Sequence, residues 1–248
     1  MKFLITFLIF ITVSLANTCQ ILYYTPKQKT QNYKSLKVLF DSYLKSYGKF
    51  EFQPFSDKKT FEKYVAKSNC LFMLSGYHFK EIAKSYNLKP LLVEKSKNTT
   101  SETNVLIAKG YGRVRGIVTS AFSTKYTNKL VKKSTGTQLE VLKVPKEIDA
   151  LMALGYGMSQ VAAVSRESFE QLKKVNPSLT KNMRIISESL PIYRMIIASK
   201  ANRPIDNQKI KLFKQMHRDA KGRKLLRLLG VGKIVTLNKN QLTQLGAK

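Results

Sequence analysis

The stretch GIVTSAFSTKYTNKL (residues 116–130) contains the transition that decides the fold, from a strand-like run to a helix-like one. Residues 116–119 suit a buried strand, whereas residues 124–133 carry apolar side chains at helical spacing. Ser123 stands at the expected N-cap of that helix, where its hydroxyl can accept from a free backbone N–H. Hydroxyl and N–H groups at a helix N-terminus also bind anions well. The stretch therefore fits either a plain helix cap or an anion site, and both interpretations stay open here.

The same alternation of strand-like and helix-like segments continues on both sides of this stretch. Strand-like runs occur at 19–24, 50–55, 70–74, 90–93, 104–108, 116–119, 139–144, 161–164, 184–187 and 192–198. Helical spacing occurs around Phe61 and Phe79 and at 33–47, 124–133, 145–154, 165–175, 207–219 and 220–229. Repeated strand-helix-strand units predict an α/β fold with mostly parallel sheets and helices on both faces.

Two such series follow one another, which predicts two α/β lobes with a hinge between them. Lobe one comprises residues 17–110 together with 192–248, and lobe two comprises residues 111–191. Ligands of open α/β sheets bind beyond the carboxyl ends of the strands. Two lobes that face each other with these ends would form a cleft that closes by hinge motion.

The first sixteen residues have the pattern of a signal peptide. Lys2 precedes an apolar run at 3–13, and the small residues Ser14 and Ala16 follow at the two positions that a signal peptidase reads. The alternative is a membrane anchor, but the run is shorter than the ~20 residues that span a bilayer. We therefore expect cleavage after Ala16 and export of the mature chain.

Cys19 and Cys70 are the two cysteines of the chain. Both open predicted parallel strands of lobe one, so they could lie side by side at one edge of a sheet. In an oxidising compartment we favour a disulfide between them over two free thiols.

The balance of charged residues is strongly basic, with 44 Lys and Arg against 15 Asp and Glu and a formal charge of +29. Such a surface attracts anions, acidic lipid or nucleic acid at low salt. Because the chain has no Trp and no dense Arg/Gly or Arg/aromatic run, we do not expect nucleic acid as its natural partner. His78 and His217 stand alone, so neither a metal nor a cofactor is expected. No paired carboxylates, Ser/His/Asp set or phosphate-binding glycine loop suggests an enzyme.

Several short motifs, in this order, point to one family. They are YYTP at 23–26, LFMLSGY at 71–77, GIVT at 116–119 with Ser123 and Thr124, EIDALMALG at 147–155, SESLP at 187–191 and DAKGRKLL at 219–226. In this order the chain resembles the phosphate/phosphite/phosphonate substrate-binding proteins of ABC transporters, which have the type 2 periplasmic binding fold. The resemblance covers nearly the whole mature chain.

The resemblance implies a periplasmic solute-binding protein that closes on a small oxyanion similar to phosphate or phosphonate. It would act as a monomer and deliver the solute to an ABC permease or report it to a membrane sensor. The family's oxyanion pocket uses a Ser-Thr turn at the first helix of lobe two, and strand ends of lobe one face it. The ligand-binding residues implied here are Tyr24, Thr25, Ser75, Tyr77, Ser120, Ser123 and Thr124.

An interaction module with the same fold is the alternative. Ala121 and Phe122 precede the Ser-Thr pair and Lys125 follows it, where family members usually carry other residues. In that case the basic surface, rather than the cleft, would bind a membrane, an envelope polymer or a protein partner.

Overall fold

The computed structural model describes residues 18–27, 32–112, 114–203 and 205–246. The predicted signal peptide at 1–16 lies outside these ranges. The described chain is a mixed α/β structure whose two main sheets are flanked by helices, as the sequence predicts. Within these ranges, no helix combines the length and the apolarity that a bilayer crossing requires.

The strands are β1 (Cys19–Tyr24), β2 (Phe50–Pro54), β3 (Leu71–Leu74), β4 (Leu88–Lys95), β5 (Ser101–Glu102), β6 (Asn104–Lys109), β7 (Ile117–Ser120), β8 (Glu140–Lys143), β9 (Val161–Ser165), β10 (Met183–Glu188), β11 (Ile192–Tyr193), β12 (Ile196–Lys200) and β13 (Lys233–Thr236). The helices are α1 (Tyr33–Leu44), α2 (Lys58–Lys67), α3 (Gly76–Ile82), α4 (Thr124–Thr135), α5 (Glu147–Gly155), α6 (Arg166–Val175), α7 (Pro177–Thr180), α8 (Asn207–Gln215), α9 (Ala220–Leu229) and α10 (Lys239–Gln244).

The six-stranded sheet has the order β13-β4-β12-β3-β1-β2. Strands β1, β2 and β3 are parallel, and β12 runs antiparallel between β3 and β4. Successive side chains of a strand point to opposite faces, so each face of this sheet carries its own core. Ile21 and Tyr23 pack with Phe40 on one face, whereas Leu22 and Phe72 pack on the other. Burial on both faces explains why these strands are nearly continuous apolar runs.

The five-stranded sheet has the order β10-β6-β9-β7-β8. Strands β7, β8 and β9 are parallel, and β6 is antiparallel to both of its neighbours. Ile107 and Val164 face a core that α5 and α6 cover, and Leu106 and Val118 face one that α4 covers. The stretch at 116–130 supplies β7 and the first half of α4, the strand-to-helix unit expected from its pattern.

Two predicted boundaries need correction. Strand β6, placed at the end of lobe one from the sequence, pairs in the five-stranded sheet, so the chain changes sheets at 96–103 rather than near residue 110. The run at 192–198 is not one strand but two, because β11 pairs with β5 in a separate two-stranded ladder and β12 pairs in the six-stranded sheet. An apolar run shows that a segment is extended and buried, but it does not show which strand lies beside it.

Gly76 lets α3 begin against β11. A Cβ atom at this position would lie 2.0 Å from the backbone oxygen of Tyr193, so any side chain here would push the two segments apart. The glycine that ends the LFMLSG run therefore fixes α3 beside the β5–β11 ladder.

The predicted disulfide between Cys19 and Cys70 is present, with the two Cα atoms 5.4 Å apart. Cys19 begins β1, and Cys70 directly precedes β3, the parallel neighbour of β1. The bond therefore joins the amino ends of these strands, at the sheet edge opposite Tyr24 and Leu74.

Candidate functional site

The loops that follow the parallel strands of the two sheets meet at one interface. The backbone N–H of Glu147, the first residue of α5, donates to the carbonyl oxygen of Pro26, just after β1, at 3.1 Å. The hydroxyl of Ser123, just before α4, donates to the carboxylate of Glu81 on α3. These contacts hold the carboxyl ends of both sets of strands against each other, as in a closed cleft.

A small inner cavity of about 50 Å³ lies at this interface. Thr25 and Ser75, two of the predicted ligand-binding residues, line it from the ends of β1 and β3. Ser168 and Gln171 of α6 line it from the other sheet. Such a volume has room for a few water molecules or a small ionic group. Thr25 and Ser75, which were selected because they follow strand ends, therefore line the same cavity.

Charged groups surround the inner cavity and largely neutralise one another. The guanidinium of Arg194 lies 2.8 Å from a carboxylate oxygen of Glu167, 3.5 Å from one of Glu102 and 3.9 Å from one of Glu94. Lys27 also pairs with Glu102. Burial raises the pKa of the Glu94 carboxyl, against the opposing effect of Lys27 and Arg194. With three carboxyl groups around two cations, the inner cavity does not by itself attract an anion.

Several polar atoms buried beside this interface have no hydrogen-bond partner among the described residues. They include Ser75 Oγ, the Tyr77 hydroxyl, Asn104 Oδ1, Glu147 Oε1 and Arg194 Nε. Burial raises the pKa of Tyr77. The hydroxyl of Ser75, which lies nearby, opposes this increase to a smaller extent. Buried polar groups in folded proteins are nearly always paired, with protein atoms or with ordered water, so each of these atoms can accept or donate a further hydrogen bond.

The N-terminus of α4 carries the helix cap that the sequence predicts as one interpretation. The backbone N–H of Tyr126 donates to Ser123 Oγ at 3.1 Å, so Ser123 caps the helix. The same hydroxyl also donates to the carboxylate of Glu81. Thr124 lies exposed at the first helical position. Ser123 is therefore a cap and a carboxylate-binding group at the same time.

Ser120 does not have the free hydroxyl that ligand binding would need. Its Oγ accepts from the backbone N–H of Phe122 at 3.0 Å and from the hydroxyl of Thr127 at 2.9 Å. It donates to the carbonyl oxygen of Ala163 at 3.4 Å. A serine hydroxyl has one donor and two acceptor positions, and here all three are used. Ser120 thus shapes the turn before α4, and its hydroxyl is engaged in hydrogen bonds within the chain.

Tyr24 and Tyr77 are buried among other rings. Tyr24 lies 5.7 Å, between ring centroids, from both Phe61 and His78. The ring of Tyr77 lies 5.4 Å from that of Tyr126 on α4. Tyr77 therefore contacts the opposite sheet's helix, whereas Tyr24 packs inside its own half of the molecule.

Sequence reasoning missed the charged residues of the site. Glu81 bonds to Ser123 and to Lys58, the latter at 2.8 Å. Lys27 and Arg194 were not singled out either. Their partners lie far away in the chain, and a single charged residue in a sequence carries no signal of such a partner. Among the described residues, no group of three or more His, Cys, Asp or Glu side chains is arranged to hold a metal ion.

No family model matches the sequence, and no curated protein is similar to it in sequence. Solved structures are nevertheless similar in fold. XAC2383 from Xanthomonas citri, bound to chloride ion, has a TM-score of 0.71 and 13% identity over 92% of this chain and 96% of that chain. PhnD1 from Prochlorococcus marinus, in complex with methylphosphonate, has a TM-score of 0.70 and 10% identity over 92% and 95%. The periplasmic aliphatic sulphonate binding protein SsuA from Escherichia coli has a TM-score of 0.56 and 11% identity over 92% and 88%. At such identities the likeness shows the fold alone, which is that of the two-lobed periplasmic binding proteins.

Proposed function

We propose that this protein is a periplasmic solute-binding protein whose lobes close on a small solute with an oxyanion group, for ABC-type uptake or for sensing. One observation carries the proposal: Ser123, at the N-terminus of α4, binds the carboxylate of Glu81 from the opposite side of the cleft. The site thus holds an oxyanion supplied by the chain itself. Structures of similar fold include proteins whose titles name methylphosphonate and sulphonate.

The N-terminus of α4 is suited to an anion for physical reasons. The first turn of the 12-residue helix has no acidic side chain and includes Lys125. Free backbone N–H groups and the helix dipole favour negative charge at this end. A solute oxyanion would take the place of Glu81 there. Glu81 would keep its ion pair with Lys58, which limits the cost of the exchange.

The remainder of the solute would face the inner cavity. Because Lys27 and Arg194 are already paired with carboxylates, the cavity suits an uncharged or hydrogen-bonding portion better than a second anion. The unpaired hydroxyl of Ser75, which lines the inner cavity, is available for that portion. Delivery to an ABC permease or a membrane sensor, a monomeric state and a periplasmic location follow from the family resemblance and the apolar N-terminus.

Thermal unfolding of the mature chain with phosphate, phosphite, methylphosphonate and sulfate, in low and moderate salt, tests the proposal. A true ligand at a hundredfold excess over its Kd stabilises by about 2.7 kcal/mol, which raises the Tm by roughly 5–10 °C. We expect one anion to give a saturable increase that persists in moderate salt.

Ser123→Ala identifies the site of that effect. The variant loses a helix cap, which costs about 1 kcal/mol, and we expect it to lose the anion-dependent increase in Tm as well. Asn32→Ala is the matched control, because the Asn32 side chain caps α1 in the same way, accepting from the Ser35 N–H at 2.9 Å. A Tm increase that survives in Ser123→Ala, or that moderate salt abolishes, argues against the proposal.

The strong positive charge favours a second candidate, an interaction module that uses this fold. Residues 200–248 alone contain 13 Lys and Arg against Asp206 and Asp219. A membrane, an envelope polymer or a protein partner would then bind the basic surface, with affinity that falls steeply as salt increases. The same unfolding experiment separates the candidates, because an interaction module shows no saturable response to a small anion.

A further inference from the structure

A wide groove runs between α3 and α4, on the outer side of the Ser123–Glu81 contact. Its volume is about 690 Å³, and it shares no lining residue with the inner cavity. We call it the α3–α4 groove. Its floor is formed by apolar and aromatic side chains, namely Tyr77, Tyr126, Leu130, Leu190, Pro191 and Ile192. Leu190 is 73% exposed, so a large aliphatic side chain is presented to solvent here.

Lysine side chains form the rim of the α3–α4 groove. Lys125, Lys129 and Lys133 follow one another at intervals of four along α4, so they share one face of that helix. Lys80 of α3 lies across from them. None of these four makes an ion pair within the described ranges. The single acidic residue in the lining, Glu81, is already paired with Lys58 and bonded to Ser123.

The hydroxyl of Tyr77 adds a polar group to this mostly apolar wall. Tyr77 is only 4% exposed, and its hydroxyl has no hydrogen-bond partner among the described residues. Ligand sites are typically concave, of about 300–1,000 Å³, mostly apolar, and supplied with a few polar groups that orient the ligand. The α3–α4 groove has each of these properties.

We propose that the α3–α4 groove binds a single-chain anionic amphiphile, a long-chain carboxylate, with the chain on the apolar floor and the head group on the lysines of α4. A small oxyanion would leave the floor exposed to water. A neutral lipid would leave four lysine charges without partners, and a flat membrane surface does not fit a concave groove between two helices. The groove shares Ser123, Glu81 and Lys125 with the proposed oxyanion site at the N-terminus of α4. Its apolar lining, Lys129 and Lys133 extend past that site, so this proposal goes beyond the proposed function.

Calorimetric titration of the mature chain with dodecanoate, below the concentration at which it forms micelles, tests this proposal. We expect one dodecanoate per chain. Affinity should increase with chain length, by up to about fourfold for each fully buried methylene, so hexanoate should bind far more weakly. Dodecyl maltoside, which has the same chain and no charge, should also bind more weakly than dodecanoate.

Two sets of matched variants place the binding in the groove. Leu190→Ser should weaken dodecanoate binding by roughly threefold to tenfold, whereas Val175→Ser, at an equally exposed site of 74% on α6, should not change it. Lys129→Gln/Lys133→Gln should weaken binding by a similar factor. Lys63→Gln/Lys67→Gln on α2 removes the same charge at the same spacing and should leave the affinity unchanged.

The proposal is overturned if dodecanoate binds no more tightly than hexanoate, if many molecules bind per chain, or if the groove variants behave like their controls. The two proposals in this work can fail separately. If dodecanoate binds but no small anion increases the Tm, the groove proposal stands and the solute-binding proposal fails. If a small anion increases the Tm but dodecanoate does not bind, the solute-binding proposal stands and the groove proposal fails.

Discussion

His78 shows how a single polar residue is accommodated at the residue scale. It is fully buried, its Nε2 lies 2.7 Å from a carboxylate oxygen of Glu62, and its ring packs against Tyr24 and Phe61. His78 stands alone in the sequence, and in the structure it lies in the core. Burial lowers the pKa of His78 from 6.5, with a smaller contribution from Lys58, while Glu62 and Glu81 oppose the shift.

This lowered pKa makes stability depend on pH. Between the pKa of folded His78 and the ordinary value of 6.5, the unfolded chain binds more protons than the folded chain. Stability therefore increases with pH in this window and decreases as the pH falls below about 6.5. We expect His78→Asn to flatten this dependence, measured as the urea midpoint at a series of pH values from about 5 to 7. His217→Asn is the control, and a wild-type slope in His78→Asn would show that another group is responsible.

Site residues could be predicted from the sequence only where the residue type and its position after a strand were enough to identify them. Thr25 and Ser75 follow strands, and both line the inner cavity. The partner of Ser123 could not be predicted, because Glu81 lies 42 residues away in the chain and on a helix of the other sheet. Hydroxyls at strand ends have a local signal, whereas ion pairs and unpaired polar atoms depend on tertiary packing.

At the scale of elements, local patterns identified most strands and helices but not their neighbours. Strand β1 has the predicted bounds. The bounds of β3, β7 and β9 differ from the predicted ones by at most one residue at each end. Strand β13 and helix α10 were not predicted, and the six residues of α10 are too few for a helical pattern. Strand β13 pairs with β4 and forms one edge of the six-stranded sheet, a long-range contact that local sequence does not encode.

The disulfide that joins the starts of β1 and β3 should contribute substantially to stability. Cys19 and Cys70 are 51 residues apart, and closing such a loop in the unfolded chain corresponds to about 4 kcal/mol in the chain-entropy model, with about 2–4 typical. We expect the free energy of unfolding in urea to fall by about this amount in Cys19→Ala/Cys70→Ala. Dithiothreitol should have the same effect on the wild type and none on the double variant. A wild-type protein whose urea midpoint is unchanged by dithiothreitol would contradict this expectation.

At the scale of the whole molecule, the distribution of acidic residues is uneven. The chain has 15 of them, and those that take part in contacts at or near the interface between the sheets are Glu62, Glu81, Glu94, Glu102, Glu147 and Glu167. Two of these carboxylates connect the two halves of the molecule, Glu81 through Ser123 and Glu167 through Arg194. A basic surface attracts all anions weakly, and salt reduces this attraction. Measuring anion binding at more than one salt concentration therefore separates it from specific binding.

The overall architecture could be inferred from the order of elements, although no single motif identifies it. Two series of strands and helices predicted two α/β lobes, and structures with 10–13% identity share this fold over 92% of the chain. The boundary between the series was wrong at β6, because a strand next to a crossing can pair with either sheet. Glu81, Lys58 and Arg194 lie at or beside the cleft, and only the folded chain reveals these positions.

Competition between Glu81 and a solute oxyanion at Ser123 is the central claim. Calorimetric titration of phosphate and methylphosphonate into wild type and Glu81→Gln, at one moderate salt concentration, tests it most directly. Glu140→Gln is the matched control, since it removes the same charge from an exposed position at the start of β8. We predict that the anion binds Glu81→Gln more tightly than wild type, by a factor on the order of ten, because the internal competitor is gone. Equal or weaker binding by Glu81→Gln would contradict the claim.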